Sequence, residues 1–93
     1  MAPRSVHIRV EGSVQGVGYR AFVKRHAAAA QLSGWVRNRN DGSVEAVLQG
    51  AAEAVENMLD HCRRGPPGAR VENVDIIGEG VGAYESFSVR PTA

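Results

Sequence analysis

Gly16-Val17-Gly18-Tyr19-Arg20, the second half of a glycine-rich run that begins at Gly12, carries the residue types that hold an anion. Glycines let a backbone turn inward, so that its N–H groups approach an anion with no Cβ between them. By the patterns described below, the run falls between a strand and a helix, where free amides and the helix dipole both favour negative charge. Arg20, on the first helical turn, adds a guanidinium fork suited to phosphate oxygens. The functional reading is a phosphate cradle. The same composition also serves a tight connection whose glycines only turn the chain, and composition alone does not separate the two. A Walker A loop is excluded, because Gly18 is followed by Tyr19-Arg20 and not by Lys and Ser or Thr. Gly16 to Ala21 fits G-x-G-x-x-A, but the acidic residue needed about 20 positions later could only be Asp41, which belongs to a hairpin turn.

Asn38 is the second candidate. It shares parity with Val36 and so faces the helix-bearing side, and its amide accepts and donates at once, which suits holding a water molecule. Close to Asn40-Asp41-Gly42, the same side chain can equally satisfy backbone groups of the turn. His7, His26 and His61 have no spacing that suggests a metal site. Ser13 has no base beside it to make it a nucleophile. Cys62 is the single cysteine, which excludes a disulfide framework, a CxxC pair and a cysteine-based zinc site within the chain. Trp35, on the opposite parity from Val36, is expected to cover the open sheet face, and Arg37 and Arg39 to form a solvated strand face.

The elements that must position these residues follow from periodicity. Val6, Ile8 and Val10 alternate with His7, Arg9 and Glu11, the pattern of a half-buried strand. From Tyr19 the period turns helical, with Phe22, Val23, His26, Ala27 and Ala30 on one face and Ser33-Gly34 as the expected stop. Trp35–Asn38 and Ser43–Gln49 read as strands joined by a hairpin at Asn40-Asp41-Gly42, with Gly50 closing the second of them. A second helix is predicted over 51–64, with Val55, Met58, Leu59 and Cys62 inward, and Gly65-Pro66-Pro67-Gly68 breaks it. Val71–Ile77 reads as a fourth strand with Val74 and Ile76 inward. After the Gly78–Gly82 stretch, Phe87 and Val89 mark a short last strand. The β-α-β-β-α-β order predicts a ferredoxin-like α+β sandwich, an antiparallel sheet with two helices on one face and a short extra C-terminal strand.

The chain has 93 residues, the size of one domain, and residues 1–93 read as a single unit. With 43% hydrophobic and 23% charged residues it composes like a globular protein. Eleven basic residues against ten acidic ones leave a formal charge of +1, so nothing advertises nucleic acid or an anionic membrane. The outward positions His7, Arg9, Glu11, Glu45, Val47 and Gln49 supply no aromatic platform for RNA. No apolar run approaches a membrane span, and Met1–Glu11 alternates where a signal peptide would be continuously apolar, so a soluble, cytoplasmic protein is expected, with a monomer as the default.

The sequence resembles the acylphosphatases. Gly12-Ser13-Val14-Gln15-Gly16-Val17-Gly18-Tyr19-Arg20 matches that family's G-x-V-Q-G-V-x-[FY]-R signature. Gly34-Trp35-Val36-Arg37-Asn38-Arg39-Asn40-Asp41-Gly42-Ser43-Val44-Glu45 matches its second motif, and Phe87-Ser88-Val89-Arg90 agrees with its final strand. The resemblance spans nearly the whole chain and implies metal-free, cofactor-free hydrolysis of acyl phosphates, small-molecule substrates, with inorganic phosphate as product. It places the phosphate-binding arginine on Arg20, the water-positioning asparagine on Asn38, and the cradle amides on Gln15, Gly16, Val17, Gly18 and Tyr19. Gly18 and Tyr19 depart from the bulkier residue or phenylalanine of some members, and Pro91-Thr92-Ala93 runs past the family's usual end. A related alternative is the acylphosphatase-like domain of carbamoyltransferase maturation proteins, for which carbamoyl phosphate would be the ligand.

Overall fold

Residues 3–79 and 82–93 are described by the structure, a computed structural model. Met1 and Ala2, and Gly80 and Val81 within the predicted Gly78–Gly82 connection, lie outside the described residues. Alternation in the first segment produces β1 (Pro3–Ser13), whose Val6, Ile8 and Val10 are fully buried. There follow α1 (Tyr19–Ala29), β2 (Ser33–Asn38), β3 (Val44–Ala51), α2 (Ala52–Arg64), β4 (Arg70–Glu79) and β5 (Phe87–Val89). The sheet order is β4-β1-β3-β2-β5. Pairings among β1 to β4 are antiparallel, whereas β5 runs parallel to β2, so the sheet is mixed and not antiparallel throughout. This is the ferredoxin-like α+β fold with an added edge strand.

One apolar cluster joins the inward faces of β1, β2 and β3 to Tyr19, Phe22, Val23 and Ala27 of α1 and to Val55, Met58, Leu59 and Cys62 of α2. Burial of that cluster is the main term that fixes both helices against the sheet. Trp35 and Val47 are also buried but face the other side of the sheet, outside the cluster. There Trp35 is flanked by the guanidinium groups of Arg37 and Arg90, 4.8 and 4.7 Å from its ring centroid. It covers the open face, as parity predicts.

Several details differ from the sequence reading. Ser33 and Gly34 do not stop α1; they already belong to β2. The helix ends instead at Gln31, which takes the left-handed conformation at φ 59°, while the Leu32 N–H reaches back to the Ala27 carbonyl at 2.9 Å. That six-to-one bond is a Schellman-type ending with glutamine in the place usually held by glycine. Ile76 pairs with the inward Ile8, yet it is 44% exposed, because β4 is an edge strand whose Val71 and Val74 alone pack against the core. The strand after the hairpin runs on past Gly50 to Ala51.

Candidate active site

The loop from Val14 to Gly18 is anchored from below by Val14, which is buried, and by Val17, which packs against the core. Its glycines are needed for their backbone: Gly16 and Gly18 have φ of 75° and 79°, a region costly for residues with a Cβ. A Cβ at either would meet no other atom within 4 Å, so the requirement is conformational, and both residues line open space. Gly18 stands at the N-cap of α1 with no side-chain cap, and the first turn holds no acidic residue. The amides of that turn have no intrahelical acceptor, and the dipole adds partial positive charge at the same place.

Tyr19 starts the helix with its side chain turned into the core. Its hydroxyl donates to the Cys62 carbonyl at 2.8 Å. The ordinary helical donor to that carbonyl would be the N–H four residues on, but position 66 is proline and has none. The tyrosine hydroxyl takes the place of that amide and ties the end of α2 to the start of α1. Burial, together with Cys62, pushes the tyrosine pKa far above its usual value, and burial pushes the Cys62 thiol up to about 12. Neither group is suited to ionise.

Gln15 docks the loop on the β2–β3 hairpin. Its amide nitrogen donates to the Arg39 carbonyl at 2.7 Å and to the Ser43 carbonyl at 2.8 Å. Arg39 follows Asn38 directly, so one side chain links the glycine loop to the second candidate residue. The hairpin is itself fixed by Asp41, whose Oδ1 accepts from the Ser43 amide at 2.9 Å and from its hydroxyl at 2.6 Å. On the other side of β2, the Ala93 N–H donates to the Asn38 carbonyl at 3.1 Å, and the Asn40 N–H donates to the Ala93 carbonyl at 2.8 Å. The Asn38 backbone is thus held from both flanks, one of them the segment Pro91-Thr92-Ala93.

These elements enclose a cleft of about 310 Å³ lined by Val14, Gly16, Gly18, Tyr19, Arg20, Ala21, Asn38 and Val89. Of the predicted site residues, Gly16, Gly18, Tyr19, Arg20 and Asn38 meet there. Gln15 and Val17 belong to the same loop, with side chains directed at the hairpin and the core. Two polar groups in the cleft lack protein partners. Arg20 makes no hydrogen bond or ion pair with any described residue, whereas Arg4, Arg9, Arg37, Arg39 and Arg63 each face a carboxylate. Asn38 has a buried Oδ1 with no hydrogen-bond donor. An unsatisfied buried acceptor costs about 1–3 kcal/mol, so Asn38 is held in a position that its own hydrogen bonding does not favour. Arg20 offers charge and a fork, the loop offers amides, and Asn38 offers an acceptor: together they fit a tetrahedral oxyanion with a water beside it. The docking by Gln15, the clamp by Ala93 and the presence of Val89 are not visible in the sequence motifs, since each depends on strand register.

The opposite sheet face has a different character. Glu45, with 8% of its side chain exposed, accepts from Arg37 at 2.7 Å, Arg39 at 3.1 Å and the His7 ring at 2.5 Å. Arg37 and Arg39 are therefore ion-paired and not simply solvated, as parity alone predicts. Burial pulls the Glu45 pKa up, but the hydrogen bonds from Arg37, His7 and Arg39 outweigh it and hold the group below its usual value. On the helix layer, His26 stacks on His61 at 4.2 Å and meets the Phe22 ring at a tilt, 4.5 Å between centroids. Among the described residues no group of three or more His, Cys, Asp or Glu is placed to hold a metal ion. No described helix is long and apolar enough to cross a membrane.

A family model described as Acylphosphatase matches residues 6–89. A protein of Rhodopseudomonas palustris named acylphosphatase is 52% identical over 91 residues, covering 91% of this chain and 92% of the relative. A solved acylphosphatase structure from Coxiella burnetii superposes with a TM-score of 0.89 at 38% identity, covering 95% of this chain and 93% of that one. The HypF structure from T. kodakarensis also matches, with a TM-score of 0.83 and 33% identity over 97% of this chain, but over only 12% of that one.

Proposed function

This chain belongs to the acylphosphatase family and is a hydrolase of acyl phosphates, and on that premise we propose how its own residues perform the reaction. The substrate phosphate sits on the amides of Gln15, Gly16, Val17, Gly18 and Tyr19, with the Arg20 fork across its oxygens. Asn38 accepts a hydrogen bond from a water through Oδ1 and holds it in line with the leaving oxygen. The water oxygen bonds to phosphorus as the bond from phosphorus to the carboxyl oxygen breaks, giving a carboxylate and inorganic phosphate. The proton released from water passes to phosphate or solvent.

In such a transfer, charge spreads over the equatorial oxygens, and positioning with electrostatic stabilisation does most of the work. Fixed amides and a fixed arginine supply that stabilisation without reorganising during the step. A carboxylate leaves as a stable anion and needs no strong acid, which fits a cleft whose only charged lining residue, among those described, is Arg20. The observation that carries the reading is the meeting, in one cleft, of an Arg20 unpaired among the described residues and of Asn38, whose Oδ1 has no donor among them. We read residues 1–93 as one catalytic unit, monomeric and cytoplasmic, with no nucleic-acid partner.

The test is the initial rate of benzoyl phosphate hydrolysis with EDTA present, for the wild type and Asn38→Ala. Wild-type turnover should survive EDTA, because Arg20 and the amides carry the charge stabilisation. In Asn38→Ala, kcat should fall on the order of 10²-fold with inhibition by inorganic phosphate retained, the sign of lost orientation and not lost binding. Loss of phosphate binding in a folded Asn38→Ala protein would remove the water-positioning role. Carbamoyl phosphate, run in the same assay, tests whether the site also accepts a nitrogen-bearing acyl group.

A further inference from the structure

Among the described residues, three large apolar side chains are exposed: Ile76 at 44%, Ile77 at 51% and Val89 at 42%. A single exposed apolar side chain is ordinary on a protein surface. The two isoleucines lie together on the edge strand β4 and line no part of the catalytic cleft. Val89 differs by its place. It sits on β5 opposite Val36, with the parity of Phe87, which is buried against the core. It therefore faces the same side as Asn38, two residues along β2 from Val36, and it lines the cleft with Arg20, Ala21 and Asn38. An apolar wall beside a few convergent polar groups is the ordinary make-up of a small-molecule site.

We propose that Val89, with Ala21, forms the seat of the substrate's acyl group, and that Val89 makes this enzyme prefer uncharged acyl phosphates of apolar, aromatic or branched character. The inference rests on the phosphate placement proposed above. Within the cleft, Val14 is buried beneath the loop and the Tyr19 side chain is engaged at Cys62, so neither offers a surface. What remains apolar and accessible is Ala21 and Val89. Among the described residues no second cation lines the cleft beside Arg20, so an acyl group bearing its own carboxylate finds no partner there once phosphate occupies the arginine.

The experiment compares kcat/KM for benzoyl phosphate and acetyl phosphate in the wild type, Val89→Ser and Val89→Thr, with inhibition by inorganic phosphate measured in each. The wild type should favour benzoyl phosphate. Val89→Ser should reduce the benzoyl-to-acetyl ratio about tenfold, the scale of a lost apolar contact in a specificity pocket. The inhibition constant for inorganic phosphate, which carries no acyl group, should stay within about twofold. Val89→Thr keeps the branched shape and strand propensity, so it should shift the ratio in the same direction even where the serine variant weakens β5. An unchanged ratio in both folded variants, with wild-type turnover intact, would overturn the role of Val89 alone. Absence of wild-type turnover on either substrate would overturn the phosphate placement, and this inference with it.

Discussion

Arg20 is a guanidinium fork left without a carboxylate in a chain that pairs five of its other arginines with acids. A free fork at a helix start, beside a loop of turned-in glycines, has an anion as its natural partner. Arg20→Lys keeps the charge and loses the two parallel N–H donors, so kcat/KM on benzoyl phosphate should fall on the order of 10²-fold with the fold retained. Near-normal turnover in that variant would mean that charge alone suffices at this position. Type and spacing single out both polar residues that meet in the cleft, Arg20 by its place after the glycines and Asn38 by its parity with Val36, but only the resemblance to the acylphosphatases chooses between the readings that they leave open. The side-chain role of Gln15 was not legible, because its acceptors lie 24 and 28 residues further along the chain, at a hairpin mouth whose register no local pattern reports. Arg37 was misread for the same reason. Parity puts it on the outer face correctly, but only the pairing of β2 with β3 sets it directly across from Glu45.

At the scale of elements, the glycine loop and the hairpin are separate pieces that must be held in one geometry, and Gln15 is the visible fastening. Its two acceptors already carry other bonds, since the Arg39 carbonyl also accepts from the Gly42 amide and the Ser43 carbonyl from the Arg39 amide. Gln15→Leu therefore leaves no carbonyl orphaned and should cost only about 1 kcal/mol of stability, read from a urea midpoint. Its effect on the site should be larger. A loop free to shift relative to Asn38 should bind inorganic phosphate several-fold more weakly and lose kcat as well. A variant with both constants unchanged would show that the loop holds its shape without this fastening. The elements themselves were legible wherever a period of 2 or 3.6 ran for several residues, as in β1 and α2. What escaped was non-local: the parallel direction of β5, which depends on which edge the chain returns to, and the end of α1, where Gln31 adopts a conformation that glycine ordinarily signals.

The whole molecule should be less stable in acid, through groups that lie away from the cleft. Hydrogen bonds from the Ser43 hydroxyl and amide, with Arg9 and Arg39 nearby, hold the Asp41 carboxyl below its usual value, and Glu45 is held low by Arg37, His7 and Arg39. For both, the unfolded chain binds protons at a higher pH than the folded one. Their stabilisation is therefore fully present above the ordinary carboxylate range and is lost as the pH falls through their depressed folded values. His26 acts in the same direction at higher pH. Desolvation, with the facing His61 of α2 and the cations Arg25 and Arg64, lowers its pKa, so the folded state resists a proton that the unfolded chain accepts below about 6.5. Stability should thus decline in two limbs, a shallow one beginning near pH 6.5 and a steeper one below about pH 4.5. Urea midpoints between pH 8 and pH 3 would trace both. His26→Gln should flatten the upper limb and leave the lower one, whereas Glu45→Gln should lower stability at neutral pH and make the acid limb shallower. Because Glu45 lies on the sheet face opposite the cleft, its variant should keep the wild-type kcat at pH 7. A fall in kcat there would mean that the two faces of the sheet are coupled through β2, the strand that carries Asn38 on one side and Arg37 on the other.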